Sequence, residues 1–96
     1  MDSNNIFSAL ADPVRREILN LLKKGKLSAG EISRNFNLSR ATTSYHLSKL
    51  KEAGLIRENK YKNFIYYELN MSILEELIIW VKEFKKEKIY EKQKTF

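Results

Sequence analysis

The spacing of hydrophobic residues changes twice along the chain and divides it into helical and extended stretches. Up to Gly54, apolar residues recur every three or four positions, which is the period of an amphipathic helix. Residues 55–69 are instead rich in β-branched and aromatic side chains, which are typical of strands. Helical spacing returns from residue 70 onward. This order predicts a mainly α-helical domain with a small β-hairpin, in the order α-α-α-α-β-β-α.

Local start signals place the first three helices. A short first helix over residues 3–11 carries a stripe of three apolar residues, Ile6, Phe7 and Leu10. Asp12 and Pro13 start a second helix, because Asp is a good N-cap and proline needs no amide partner at the first helical position. Ser28 and Glu31 have the spacing of a capping box and open a third helix of about eight residues.

The stretch 38–54 predicts a fourth helix whose two sides differ in chemistry. Ser39 is its N-cap and Gly54 the residue that follows its end. One side of the helical wheel is an inward stripe of Thr43, Leu47 and Leu50. The other side is small, hydroxylic, aromatic and basic, and consists of Ala41, Ser44, Tyr45, Ser48 and Lys49, with Arg40 and Thr42 at its margins. Such a side suits base edges and phosphates of DNA, although an ordinary solvated helix is the alternative for this stretch alone.

The third and fourth helices are joined by a short turn, so residues 28–53 predict a helix-turn-helix. Residues 55–69 then predict a hairpin, or wing, with a basic turn from Lys60 to Asn63 in which Asn63 is able to take a positive φ. Lys60 and Lys62 at its tip are expected to contact phosphate or the neighbouring minor groove. The alternative is a loop that its lysines merely keep soluble.

The last helix is more hydrophobic than one small core requires. Asn70 or Ser72 caps it, Ser72 having capping-box spacing with Glu75. Part of its apolar band, together with the stripe of the first helix, is predicted to pair with a second copy of the chain. Residues 1–11 and 70–90 are therefore the expected dimerisation helices, and fraying is expected towards Phe96. The predicted dimer interface is Ile6, Phe7, Leu10, Leu74, Leu77, Ile78, Trp80, Val81 and Phe84.

The charge of the chain favours a polyanionic partner. The formal net charge is +6, and residues 39–63 hold six Lys or Arg against two acids, a net +4 that coincides with the fourth helix and the wing. Double-stranded DNA is the expected partner, and RNA is an alternative on charge alone. The 96 residues are expected to form a single winged helix-turn-helix domain over 1–96.

Several classes of function are disfavoured by what the sequence lacks. There is no cysteine, which excludes disulfides and thiolate metal sites, and a single histidine cannot supply a zinc site. No catalytic constellation or phosphate-binding glycine loop is visible, so neither an enzyme nor a cofactor is expected. No signal peptide is apparent, and the longest apolar run, 77–81, is too short to span a bilayer. We expect a cytoplasmic protein that is not inserted in a membrane.

Several motifs in one order resemble the ArsR type of small winged-helix transcriptional regulators. The likeness covers roughly residues 4–84, and the ending FIYYELN is similar to the autorepressor branch related to the sporulation-delay toxin regulator. The residues that carry it are Asp12, Pro13, Arg15, Arg16, Ile18, Leu19, Ser39, Ser44, His46, Leu47, Leu50, Ala53, Gly54 and Leu55. The resemblance implies a homodimer, paired through its first and last helices, that represses transcription by occupying an inverted-repeat operator.

The same resemblance implies that residues after the turn serine enter the major groove. With the basic positions of the fourth helix and wing, the predicted DNA-binding set is Ser39, Arg40, Ala41, Thr42, Ser44, Tyr45, His46, Lys49, Lys60 and Lys62. Many members sense metals through cysteines of the third helix or carboxylates and histidines of the last. The third helix here has no thiol and the last no histidine or aspartate, so both metal sites are expected to be absent. A regulatory protein that captures the last helix is the alternative function.

Three residues leave two interpretations open. His46 lies at the edge of the inward stripe, where it suits either a groove contact or packing. Arg15 and Arg16 open the second helix, where cations oppose the helix dipole. They therefore either contact DNA phosphate or pair with a neighbouring acid or helix.

Overall fold

The computed structural model describes the backbone of residues 3–94 and the side chains of residues 5–85. Within that part of the chain, five helices and three strands follow one another in the order α1, α2, β1, α3, α4, β2, β3, α5. The helices are α1 (Ser3–Leu10), α2 (Pro13–Leu22), α3 (Ala29–Phe36), α4 (Arg40–Glu52) and α5 (Met71–Lys94). The strands are β1 (Leu27–Ser28), β2 (Ile56–Tyr61) and β3 (Phe64–Leu69). The predicted winged helix-turn-helix is confirmed, with β1 as an additional element.

The corner between α1 and α2 is closed by the residues that open α2. The Asp12 carboxylate accepts hydrogen bonds from the amides of Val14 (2.7 Å) and Arg15 (3.2 Å), as expected of an N-cap. Arg16 donates to the carbonyl oxygens of Leu10 (2.6 Å) and Ala11 (3.1 Å). Because these carbonyls belong to the last residue of α1 and to the residue after it, the cation satisfies acceptors that the helix leaves unpaired. Arg16 therefore pairs with the neighbouring helix, the second of its two interpretations.

The core forms where α1 to α4 meet the base of the sheet. Its buried side chains come from all of these helices, from the segment that links α4 to β2 and from the start of β2: Ile6, Ala9, Ile18, Leu22, Ile32, Leu47, Leu50, Ala53, Leu55 and Ile56. Only one side of α5 packs on this core, through the half-buried Ile73, Leu74 and Leu77. Beyond Leu77, the apolar side chains of the described part of α5 are exposed, although the ring of Trp80 lies against that of Phe7 of α1.

The sheet is antiparallel, with strand order β1-β3-β2. β2 and β3 remain paired as far as Tyr61 and Phe64, which leaves Lys62 and Asn63 as a two-residue turn. The turn is thus shorter than the sequence predicted, and Lys62, at φ 56°, takes the left-handed conformation predicted for Asn63. That prediction was wrong because the register, which fixes the position that must turn, is set by cross-strand pairing along the whole hairpin.

The ends of α4 and α5 meet at Gly54. Gly54 has φ 78° after the end of α4, as predicted. Asn70 donates from its side chain to the Gly54 carbonyl (2.9 Å) and precedes Met71, the first residue of α5. Ser72 therefore lies inside α5, and the predicted capping box with Glu75 is wrong. Fraying was predicted towards Phe96. α5 is helical to Lys94, and residues 95–96 lie outside the described part of the chain.

None of the described helices combines the length and the apolar character needed to cross a membrane.

Candidate nucleic-acid interface

The N-terminus of α3 is fixed by a complete capping box. The Ser28 hydroxyl accepts from the Glu31 amide (3.2 Å), and the Glu31 carboxylate accepts from the Ser28 amide (2.9 Å). The Ser28 hydrogen bonds hold the pKa of Glu31 below its usual value, with a smaller contribution from the charge of Arg34. At the other end of α3, Asn37 takes a left-handed conformation (φ 53°) and turns the chain towards α4. Both ends of the supporting helix are thereby set by local hydrogen bonds.

The inward side of α4 is attached to α3 by a buried hydrogen bond. Ser33 donates to the Thr43 hydroxyl at 2.8 Å, and both residues are buried. Leu47 and Leu50 continue the same side into the core, as the helical wheel predicted. The orientation of α4 is therefore set by packing on one side, which leaves the opposite side free to contact a partner.

The start of α4 is organised by two hydroxyls of the predicted DNA-binding set. Ser39 accepts from the Thr42 amide (3.0 Å), which confirms it as the N-cap, and its own hydroxyl donates to the Thr42 side chain (2.9 Å). Both residues are exposed. They can reach a partner while they hold the first turn of the helix in place.

The outward side of α4 carries the small, hydroxylic and basic chemistry that the sequence indicated. Ala41, Ser44 and Lys49 are exposed, and the ring of Tyr45 is 56% exposed. The Lys49 ammonium lies 5.6 Å from the centre of that ring, a cation–π distance that holds both side chains together at the surface. This side offers hydrogen-bond donors and acceptors, an aromatic ring and a cation on one rigid element.

His46 is buried, so its predicted role as a DNA contact is wrong. It is 7% exposed, and its Nδ1 lies 3.3 Å from a guanidinium nitrogen of Arg15. Because arginine can only donate, Nδ1 is the acceptor of this hydrogen bond. Arg15 also donates to the carbonyl oxygens of Ala9 (2.7 Å) and Ser8 (3.2 Å). The Arg15 side chain therefore ties α4 to the end of α1 and is not available to DNA phosphate.

The wing presents its two predicted lysines to solvent. Lys60 and Lys62 are exposed, and the Lys62 ammonium lies 5.5 Å from the ring centre of Tyr61. Tyr61 and Phe64, which form the last cross-strand pair, are about as exposed as Tyr45. The sequence did not indicate these two rings. Alternate residues of a strand face opposite sides of the sheet, and the side that each ring faces is known only once the pairing of β2 with β3 is known.

Arg34 is a further residue that sequence reasoning missed. It lies on the exposed side of α3, where the pattern of apolar residues indicated only a supporting helix. Its guanidinium and that of Arg40 both approach Gly30, so Arg40 turns back towards α3 instead of pointing along the outward side of α4. No feature of the sequence indicates this convergence, because it depends on the angle between the two helices.

A second exposed surface lies on α1 and α5. The ring of Trp80 lies 5.5 Å from that of Phe7 and 5.2 Å from that of Phe84, forming an aromatic cluster that joins the two helices. Ile6, predicted for the dimer interface, is instead wholly enclosed in the core and was wrongly assigned. The other predicted residues are exposed or half-buried: Phe7, Leu10, Leu74, Leu77, Ile78, Trp80, Val81 and Phe84.

Among the residues that the structure describes, no three His, Cys, Asp or Glu side chains come close enough together to hold a metal ion.

Comparisons with known proteins agree with this geometry. The family model for bacterial regulatory proteins of the arsR family matches residues 12–58. The transcriptional repressor SdpR of Bacillus subtilis (strain 168) is 46% identical over 81 residues, which cover 84% of this chain and 90% of that protein.

Two solved structures are similar over most of the chain. An ArsR-like transcriptional regulator from Rhodococcus sp. RHA1 superposes with a TM-score of 0.79 and 27% identity, covering 88% of this chain and 79% of that one. A homodimeric winged helix-turn-helix DNA-binding domain from Mycobacterium bovis superposes with a TM-score of 0.73 and 26% identity, again over 88% and 79%.

Proposed function

The chain belongs to the arsR family of bacterial regulatory proteins, and we propose that it is a homodimeric repressor that binds an inverted-repeat operator through α4 and the wing. The observation that carries the proposal is the outward side of α4. Its inward side is fixed by the Ser33–Thr43 hydrogen bond, while Ser44, Tyr45 and Lys49 face solvent together. This arrangement suits insertion into a major groove, where small side chains allow close approach and polar ones read base edges. Since its target is the chromosome, the protein acts in the cytoplasm.

The proposed dimer is formed by the surface of α1 and α5. Trp80 is 41% and Phe84 66% exposed in one protomer, together with neighbouring aliphatic residues of α5. Exposed apolar clusters of this kind mark interaction sites, and a second copy would cover them symmetrically. The M. bovis domain is homodimeric, which supports a dimer of this chain.

We propose that this repressor does not sense a metal. The chain contains no cysteine, and its single histidine is occupied by the hydrogen bond with Arg15. Zinc sites are built from several Cys, His or carboxylate ligands around one ion.

Capture by a regulatory protein through α5 is the second candidate function, because the same exposed residues could bind a partner of another kind. The two proposals predict different assembly states for the isolated protein. Sedimentation of the purified chain over a concentration series distinguishes them. A tight homodimer supports the repressor, whereas a persistent monomer would favour a surface reserved for another protein.

Selection of genomic fragments tests the repressor directly. Fragments retained by the purified protein are sequenced and compared with the input DNA. The expected result is an inverted repeat whose half-sites lie about 10–10.5 base pairs apart, or a multiple of this, since two α4 helices must enter successive major grooves. Retention without any common sequence would contradict the proposal, and stronger retention of RNA than of duplex DNA would favour the RNA alternative.

A further inference from the structure

Two guanidinium groups from neighbouring helices converge over Gly30. A Cβ atom added at Gly30 would lie 3.2 Å from Nη1 of Arg40 and 3.5 Å from Nη1 of Arg34. Among the described side chains, no carboxylate lies within 4.0 Å of either group. Glu31 interacts electrostatically with Arg34, but its carboxylate accepts a hydrogen bond from the Ser28 amide. Two like charges placed this close repel each other unless an anion lies between them.

The two arginines line an open cleft between α3, α4 and the wing. The cleft has a volume of about 530 Å³, and its walls also include Gly30, Asn63, Ile65 and Tyr67. It therefore lies between the start of α4 and the tip of the wing. A DNA backbone that passes from the groove occupied by α4 to the groove next to the wing would cross this position.

We propose that Arg34 and Arg40 form a clamp for one phosphate group of the DNA backbone. The arginine fork matches the geometry of phosphate oxygens, and the two groups approach from different helices. The proposal rests on the proposed function, which supplies DNA as the source of the phosphate. It assigns Arg40 to the DNA backbone instead of the major-groove position that the family resemblance implied, and it adds Arg34 to the interface.

Gly30 is part of the clamp because it leaves room for both arginines. Any larger residue places a Cβ 3.2 Å from Nη1 of Arg40, which is tighter than ordinary contact, so the guanidinium has to shift by a few tenths of an ångström. Since the atoms it would meet are the ends of flexible side chains, the fold itself does not depend on this glycine. A substitution at Gly30 can therefore change DNA binding without lowering the stability of the fold.

Neutral variants of the arginines test the clamp. Arg34→Gln and Arg40→Gln are each expected to weaken binding of operator and of scrambled DNA by the same factor, about tenfold, because a phosphate contact carries no sequence information. Since both arginines hold one phosphate, the double variant should lose less than the product of the single losses. It should also lower the slope of log K against log salt by about one. Lys23→Gln, the same charge change at the end of α2, is the control and should have little effect.

The outcomes separate the clamp from the proposed function. If the wild type discriminates its operator but neither arginine variant weakens binding, the clamp is overturned and the repressor stands. An Arg40→Gln variant that loses sequence discrimination alone also overturns it, because Arg40 then reads bases. If the wild type binds all sequences equally and the variants weaken that binding, the clamp is supported while the repressor fails.

Gly30→Ala gives an independent test with a structural control. The variant should keep or raise the melting temperature, because alanine is the better helix former. It should weaken DNA binding severalfold in the wild type and have no further effect in the Arg34→Gln/Arg40→Gln background. An equal loss in both backgrounds would contradict an effect transmitted through the arginines.

The source of the phosphate is tested by replacing single operator phosphates with neutral methylphosphonates. One position in each half-site should weaken binding of the wild type and leave the double variant unaffected. If no position does so, and inorganic phosphate displaces DNA from the wild type more than chloride at equal ionic strength, the cleft binds free phosphate. That result would overturn the assignment to the DNA backbone.

Discussion

At the scale of single residues, the orientation of α4 depends on the buried hydrogen bond between Ser33 and Thr43. Removing one hydroxyl leaves the other without a partner in a site that is closed to solvent, at a cost of about 1–3 kcal/mol. Thr43→Val is expected to lower the free energy of unfolding by this amount in urea titrations. The double variant with Ser33→Ala removes both polar groups and should lose less than the sum of the single losses. Strict additivity would contradict the role given to this hydrogen bond.

Lys62 combines an unfavourable backbone conformation with a favourable charge. At φ 56° an L-residue is strained by about 1–2 kcal/mol, whereas glycine is not. Lys62→Gly is expected to keep or raise the free energy of unfolding, by up to about 1 kcal/mol, while it weakens binding to all DNA sequences alike. Lys62→Gln is the matched control, with the strain retained and the charge removed. A Gly variant that binds DNA as well as the wild type would show that Lys62 is not a phosphate contact.

Single residues were predictable where neighbours in sequence decide their surroundings. Ser39 and Gly54 were placed correctly, because capping depends on the first or last turn alone. His46 was not, since an edge position on the helical wheel is compatible with both burial and exposure. Its environment is decided by Arg15, which lies 31 residues away in the chain.

At the scale of elements, the N-terminus of α3 has a pH-dependent stability. Because the Ser28 hydrogen bonds lower the pKa of Glu31 in the folded state, its contribution is complete above the unfolded-state pKa, about 4.3, and is lost as the pH falls through the lower folded value. Glu31→Gln keeps the acceptor but does not titrate. In urea unfolding, the wild type should therefore have a higher free energy of unfolding than this variant at pH 6, and the difference should shrink towards pH 3. A difference that is independent of pH would contradict the capping role of the charge.

The helices and the two long strands could be predicted because each has its own period and end signals. β1 could not, since its two residues form a strand only by pairing with Tyr66 and Tyr67 of β3. The start of α5 was ambiguous for a similar reason. Asn70 and Ser72 both have side chains that can cap a helix. In the fold, Asn70 donates to the Gly54 carbonyl and α5 begins at Met71, so Ser72 lies inside the helix.

At the scale of the whole molecule, the exposed aromatic cluster is the feature that a single protomer leaves uncovered. Phe84→Glu is expected to convert the dimer into a monomer in sedimentation velocity without loss of helix content, because Phe84 is 66% exposed in the protomer. The variant should also bind a full operator more weakly, since it cannot join two half-sites. Ile79→Glu is the matched control: Ile79 is similarly exposed, but it lies on roughly the opposite side of α5. Dissociation by Ile79→Glu and not by Phe84→Glu would place the interface on the other side.

The excess hydrophobicity of the last helix was enough to predict that a surface for a partner exists, but not which residues form it. Ile6 and Phe7 are adjacent in sequence, yet one is enclosed in the core and the other contacts Trp80. The difference comes from the angle at which α1 packs on α4 and α5. That angle is a property of the assembled domain.

The ratio of the dissociation constants for the selected operator and for a scrambled duplex tests most directly whether the outward side of α4 reads bases. Measured by fluorescence anisotropy, Tyr45→Ala should lower this ratio by about tenfold or more, as expected for the loss of a base contact. Lys60→Gln should weaken both duplexes equally and leave the ratio unchanged. An unchanged ratio for Tyr45→Ala, with Lys60→Gln lowering it instead, would contradict recognition through α4.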